Sequence, residues 1–175
     1  MHSRALCFVL CLALIAAAAS DAAADRIAAN DDVSTRPGRG NLDQNGGILG
    51  LLVKSGGSMS WAEFTLGASE ASQATLNLYN FWVQNNVSYN VRLLGHPYAF
   101  TETALTDANK PATAAWTQLV DSFHVDTTPQ WYALDITAFY NAHLGETVTF
   151  NLLDAGPSSG DGPIFEDREA LQYDA

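Results

Sequence analysis

From Ile48 onward, short apolar or alternating runs recur between turn-forming residues. The runs are Gly50 to Lys54, Ser60 to Leu66, Ala74 to Val83, Ser88 to Leu94, Thr117 to Val125, Tyr132 to Ile136 and Thr147 to Leu153. In the last of these, Val148, Phe150 and Leu152 fall on one side, and Thr147, Thr149 and Asn151 on the other, which is the two-residue period of a strand. In Ser88 to Leu94, Tyr89, Val91 and Leu93 alternate with Asn90 and Arg92 in the same way. The separators are turn chemistry: Ser55-Gly56-Gly57, Gly67 to Ser72, Asn85-Asn86, Thr127-Thr128-Pro129 and Gly145. Many short strands at such spacing predict an all-β sandwich or barrel. No internal repeat is visible, which disfavours a solenoid or propeller. One short helix is expected over Ala138 to Leu144, with Thr137 as its cap and Gly145 ending it in a left-handed conformation.

Two segments precede this region. Residues 1–24 read as a signal peptide: Arg4 gives a basic start, Ala5 to Ala19 is uninterrupted apolar sequence, and small residues follow to Ala24. The apolar run is short for a membrane-spanning helix, and Asp21 and Asp25 come directly after it. Residues 25–47 are polar and glycine-rich, with one candidate short strand near Val33. Residues 48–175 then form a single domain. The expected location is secreted, extracellular or in the cell envelope, with no membrane association after cleavage. Cys7 and Cys11, the only cysteines, both lie in the leader, so the mature domain folds without a disulfide.

Charge narrows the function. Eight Lys plus Arg face nineteen Asp plus Glu, for a formal net charge of −11, and trimming the leader removes one charge of each sign. Nucleic-acid binding needs a basic patch and is excluded as a partner class. No catalytic constellation is specific. His96, His124 and His143 have no helical pairing and no cysteine to complete a zinc site. Neither a nucleophile elbow nor a phosphate loop occurs. So many carboxylates make some glycosidase-like pair inevitable, so such a pair carries little weight. Asn86-Val87-Ser88 fits the glycosylation acceptor pattern. Asp154, Asp161, Glu166 and Asp167 form a denser acidic stretch, a candidate site for a structural Ca²⁺ as the only cofactor considered. The alternative is a solvated acidic loop.

The aromatic residues are the second resource. Sugar-binding proteins stack pyranose faces on exposed rings and hydrogen-bond the hydroxyls with planar polar side chains. In Ala74 to Val83, Leu76 and Leu78 should face the core, leaving Asn77, Tyr79 and Phe81 outward. If this run and the next form a hairpin through Asn85-Asn86, Asn90 and Arg92 lie beside Asn77 and Tyr79. The four residues would then offer a ring, two amides and a guanidinium suited to a sugar carboxylate. An ordinary outer sheet face is the competing reading.

The order of the runs resembles the DNRLRE domain. Ala74-Thr75-Leu76-Asn77-Leu78-Tyr79 is similar to its A-T-L-x-L-Y strand. Phe100 to Pro111 resembles its W-s-E-x-x-x-T-w-x-N-x-P segment, Leu134-Asp135-Ile136-Thr137 its f-D-V-T motif, and Phe165 to Glu169 its late S-R-E motif. The similarity covers roughly Asp31 to Glu169. It implies a single jelly-roll β-sandwich of the carbohydrate-binding type, non-catalytic, of a kind that includes alginate-binding modules. For the motif residues Glu102, Thr106, Asp135, Thr137, Arg168 and Glu169 structural roles are expected. Glu102 and Thr106 would fix the long loop between sheets, Asp135 and Thr137 would cap the helix or bridge to Arg168, and a pair of Arg168 with Asp135 or Glu169 would be buried. The functional expectation is a polysaccharide-binding module. The alternatives are a structural or adhesive extracellular module without a sugar site, and a small polysaccharide-active enzyme.

Overall fold

A computed structural model describes residues 26–36, 50–53, 58–83, 88–101, 103–111, 118–154 and 162–165. Nine strands and one helix follow in chain order: β1 (Asp31–Thr35), β2 (Leu51–Leu52), β3 (Met59–Thr65), β4 (Thr75–Val83), β5 (Tyr89–His96), β6 (Gln118–Val125), β7 (Gln130–Asp135), α1 (Thr137–Ala142), β8 (Thr147–Asp154) and β9 (Pro163–Phe165). They build two antiparallel sheets. The five-stranded sheet runs β1-β3-β8-β5-β6, and the four-stranded sheet runs β2-β9-β4-β7. This is the expected all-β sandwich with one short helix between late strands. Seven of the eight connections between consecutive strands change sheet, which is how a jelly roll is wound.

The period-2 pattern decides what lies between the sheets. From the five-stranded sheet come Tyr89, Val91, Leu93, Val148, Phe150 and Leu152; from the other come Leu51, Leu76, Leu78, Leu134 and Phe165. These side chains form one contiguous core, in which Val91, Leu93 and Val148 are fully buried. Helix α1 closes one end. Its Phe139 is 2% exposed and packs on Phe150, with ring centroids 5.1 Å apart and the planes tilted by 53°. Gly95 on β5 makes room for that ring: a Cβ there would come within 2.7 Å of it.

The helix differs in detail from expectation. Thr137 is its first residue rather than its cap, and the capping position falls to Ile136. The Thr137 hydroxyl instead donates to Asp135 Oδ1 at 2.6 Å and accepts from the Ala74 amide at 2.9 Å. Gly145 does adopt the left-handed conformation, with φ +72°, but it lies three residues beyond the last helical residue. Its amide bonds to Gly67 O at 2.9 Å and ties the turn to the far end of β3.

The β4–β5 hairpin is corrected. β4 pairs with β7 and β9, and β5 pairs with β6 and β8, so the chain between them passes from one sheet to the other. The reason is burial. Leu76 and Leu78 face Val91 and Leu93 across the core, which requires the two strands to lie in opposite layers. β9 is a three-residue strand that the hydrophobic pattern did not announce. It opens on Pro163 and is recognisable only through its pairing with β2 and β4.

Candidate functional site

The outer side of the four-stranded sheet carries an open aromatic surface. β4 and β7 pair in register Thr75↔Asp135, Asn77↔Ala133 and Tyr79↔Trp131, and directly opposed residues share a face. Thr75, Asn77, Trp131, Ala133 and Asp135 are all exposed, and Tyr79 is half-buried. The Tyr79 and Trp131 rings lie 5.1 Å apart at a 45° tilt, within the range of a favourable aromatic pair. Trp131 is nonetheless 58% exposed.

A bulge adds a second tryptophan. The register shifts between Asn80 and Trp82, so Trp82 pairs with Ile164. Simple alternation from Leu76, Leu78 and Asn80 would turn residue 82 inward; the extra residue reverses that parity. Trp82 is 52% exposed as a result. Asn80 holds the bulge from inside. It is fully buried, and with its amide turned so that the nitrogen meets the two facing carbonyls, it donates to Trp82 O at 3.0 Å and to Ile164 O at 3.1 Å. Beyond Trp82, towards β2 and β9, the same face closes: Leu52 and Ile164 are 2% exposed and Phe81 packs on them.

Asp135 marks the other end of the open surface. Its Oδ1 accepts from the Thr137 hydroxyl at 2.6 Å and the Thr137 amide at 2.9 Å. The hydroxyl first, then the amide, holds the carboxyl below the usual carboxylate range. Asp135 itself is exposed. Arg168 and Glu169 lie outside the described residues.

The four expected ligand residues divide between two layers. Asn77 and Tyr79 sit on the open face of β4, whereas Asn90 and Arg92 sit on β5, on the outer side of the other sheet. There Asn90 Oδ1 lies 3.0 Å from His124 Nδ1, and Arg92 stands opposite Ser122. The sandwich itself separates the guanidinium from the rings. Trp131 and Trp82 were missed as partners of Tyr79. The signal for Trp131 was present, since strand pairing sets residues of unlike sequence position opposite each other, but the partner strand was unknown. The signal for Trp82 was not, because a bulge has no hydrophobic period.

The outer side of the five-stranded sheet is organised differently. Residues 97–101 and 103–111, which follow β5, fold over it. Phe100 and Leu105 from this loop bury Val33, Trp61, Leu94 and Leu153 in a second apolar cluster. Trp61 is fully buried and its indole N–H donates to Thr35 Oγ1 at 3.0 Å. Glu63, 6% exposed, pins the loop: the Phe100 amide donates to its Oε2 at 2.6 Å, and Asn30 Nδ2 donates to its Oε1 at 3.3 Å. The Thr149 hydroxyl adds a bond to Tyr98 O. His96 stacks on Tyr98 with the rings 5.4 Å apart and nearly parallel, and burial pulls its imidazole below the usual range. Thr106 steadies the loop tip, with its amide and hydroxyl both donating to Asn109 Oδ1, at 2.6 and 3.0 Å. The expected position of this loop between the sheets is therefore corrected. It joins β5 and β6, neighbours in one sheet, and lies across that sheet's outer side. Glu102 lies outside the described residues.

Of the proposed calcium ligands, Asp154 ends β8 and is half-buried, while Asp161, Glu166 and Asp167 lie outside the described residues. Among the described residues no three potential metal ligands converge, and no helix is long and apolar enough to cross a membrane.

No curated protein matches the chain in sequence. The family model of carbohydrate-binding module family 96 matches residues 24–173. That span contains every strand of both sheets, the open aromatic face and the loop that roofs the opposite one, and the chain belongs to this carbohydrate-binding family.

Proposed function

We propose that the protein is a secreted, non-catalytic module that binds a polysaccharide on the open face of β4 and β7. The observation that carries this reading is the pair of tryptophans, Trp82 and Trp131, left more than half exposed on one sheet face, with the half-buried Tyr79 against Trp131. Large exposed apolar surface on a soluble domain marks a binding site. Flat rings suit the apolar face of a pyranose. Asn77, Thr75 and the second oxygen of Asp135 lie alongside to meet its hydroxyls. Ala133, opposite Asn77, leaves the floor between them flat. The family assignment supports the same function. The leader read at residues 1–24 supports secretion, and the resemblance to DNRLRE domains supports a role beside or on a polysaccharide matrix. A structural Ca²⁺ at the acidic C-terminal stretch, with Asp154 as one ligand, belongs to this proposal; a melting temperature unmoved by excess chelator removes it.

Affinity electrophoresis through gels containing dissolved polysaccharides tests the binding function. At least one polymer retards the protein, and Trp131→Ala weakens the retardation at least tenfold, which is about 1.4 kcal/mol. A protein that migrates freely through a broad panel of polymers defeats the proposal. Release of reducing sugar from any of them defeats its non-catalytic part.

A further inference from the structure

We infer that the outer face of β5 and β6 carries a second glycan site, in which Arg92 holds an oxyanion of a polysaccharide, a carboxylate or a sulfate ester. This inference rests on the carbohydrate reading above but places its site on the other sheet.

The first argument is placement. Asn90 and Arg92 alternate with the buried Tyr89, Val91 and Leu93, so both point outward from β5. Their partners on the edge strand β6 are His124 and Ser122, and directly opposed residues share a face. All four side chains are exposed. On its other side the patch stops at the roof. Leu94, the next outward residue along β5, and Leu153, opposite Arg92 on β8, lie in the second apolar cluster with Phe100 and Leu105. Arg92 therefore stands where the roof ends, between an apolar step and an open polar floor.

The second argument is charge. The chain has nineteen acidic residues against eight Lys plus Arg, so a cation in it ordinarily has a carboxylate at hand. Lys110 pairs with Asp107, and His143 with Glu146. Arg92 is set instead among Ser122, Leu153, Asn90 and Leu94, and among the described residues no carboxylate lies within ion-pair distance of its guanidinium. The one side-chain hydrogen bond in the group joins His124 Nδ1 to Asn90 Oδ1 at 3.0 Å. An amide oxygen accepts, so Nδ1 donates, and the bond leaves Asn90 Nδ2 and the Ser122 hydroxyl as donors on the same face as the guanidinium. A planar fork of N–H donors with an amide and a hydroxyl on its face matches an oxyanion and the sugar hydroxyls next to it. The core that holds Leu78 and Val91 separates this patch from Trp131, so a sugar on one face does not touch the other, and the molecule has room for two separate stretches of glycan.

The test is affinity electrophoresis of the full chain in gels containing alginate, polygalacturonate, a sulfated galactan or a neutral β-glucan, with circular dichroism confirming that each variant folds. Trp131→Ala disables the open face and isolates the patch. In that background at least one anionic polymer should still retard the protein, raised salt should weaken the retardation, and adding Arg92→Ala should reduce it at least fivefold. The uronate and sulfated gels show which oxyanion the site takes. Arg26→Ala changes the net charge equally from an exposed position ahead of β1, the opposite edge strand of the sheet, and should leave the retardation unchanged. Retardation of the wild type that Trp131→Ala abolishes in every gel overturns the second site and leaves the open face standing. Residual retardation that survives Arg92→Ala, or that Arg26→Ala weakens as much, also overturns it. Residual retardation by the neutral β-glucan that Arg92→Ala removes overturns the oxyanion chemistry. Loss in Arg92→Ala alone beside an unaffected Trp131→Ala supports the patch and defeats the open face. A wild type that no polymer retards overturns both.

Discussion

The two outer faces of this sandwich treat tryptophan in opposite ways. On the five-stranded sheet, Trp61 is fully covered by the loop of residues 97–111 and spends its indole N–H on Thr35. On the four-stranded sheet, Trp82 and Trp131 are more than half exposed. The residue type is the same, and all three side chains point outward from their sheets, Trp82 by way of its bulge. The difference is the roof, and the roof depends on a buried carboxylate, Glu63, that receives the Phe100 amide. One face is thus an extension of the core, and the other leaves its tryptophans open to water.

The comparison can be broken most severely at Trp61. Trp61→Ala should cost about 3–5 kcal/mol, read as a shift in the urea midpoint, because it leaves a large void under the loop and orphans a buried hydroxyl contact. The next largest effect belongs to Glu63→Ala, about 1–3 kcal/mol. It strands the Phe100 amide in an apolar setting, and hydrogen exchange should show residues 98–111 losing protection while β4 and β7 keep theirs. Trp131→Ala sharpens the contrast from the other side. It should change stability by no more than about 0.5 kcal/mol while weakening polysaccharide retardation, since exposed positions contribute little to folding.

The smallest effect is a pH dependence that distinguishes the faces by the groups involved. Burial lowers the folded imidazole of His96, under the roof, from its ordinary value of 6.5. Its contribution is therefore complete above that value and is lost as the pH falls below it, because the unfolded chain takes up the proton first. The Thr137 hydrogen bonds lower the Asp135 carboxyl, on the open face, from 3.8. Its contribution is present above that value and is lost as the pH falls through the lowered one. Urea midpoints measured from about pH 8 down to about pH 5 should decline slightly, and His96→Gln should flatten that decline.

The strands were legible because burial imposes a period of two wherever one face is covered. Val148, Phe150 and Leu152 stand inward as their spacing predicts, as do Tyr89, Val91 and Leu93. The sheet partners were not legible. A polar turn such as Asn85-Asn86 serves a hairpin or a crossing between layers equally well, and only the shared core of Leu78 and Val91 decides between them. This is why the expected site was right in orientation at all four residues and wrong in company. Asn77 and Tyr79 do face outward, and so do Asn90 and Arg92, but from opposite sides of the molecule. The aromatic partner of Tyr79 came from a strand more than fifty residues later. The buried Glu63 was invisible for another reason: a carboxylate within the run Ser60 to Leu66 reads as a solvated position until the loop that covers it is known.

The alternation of consecutive strands between the two sheets has a kinetic consequence. β5 and β6 are the single consecutive pair that shares a sheet, and some twenty residues separate them, so no tight hairpin can form early and template the rest. Nearly every strand must wait for a partner that is distant in sequence, and loop closure is spent before the contacts are gained. Refolding should fall in the slow, millisecond-to-second range of all-β topologies. The same winding makes the finished sandwich hard to open from one end, since freeing any strand of the four-stranded sheet pulls on neighbours that belong to both layers.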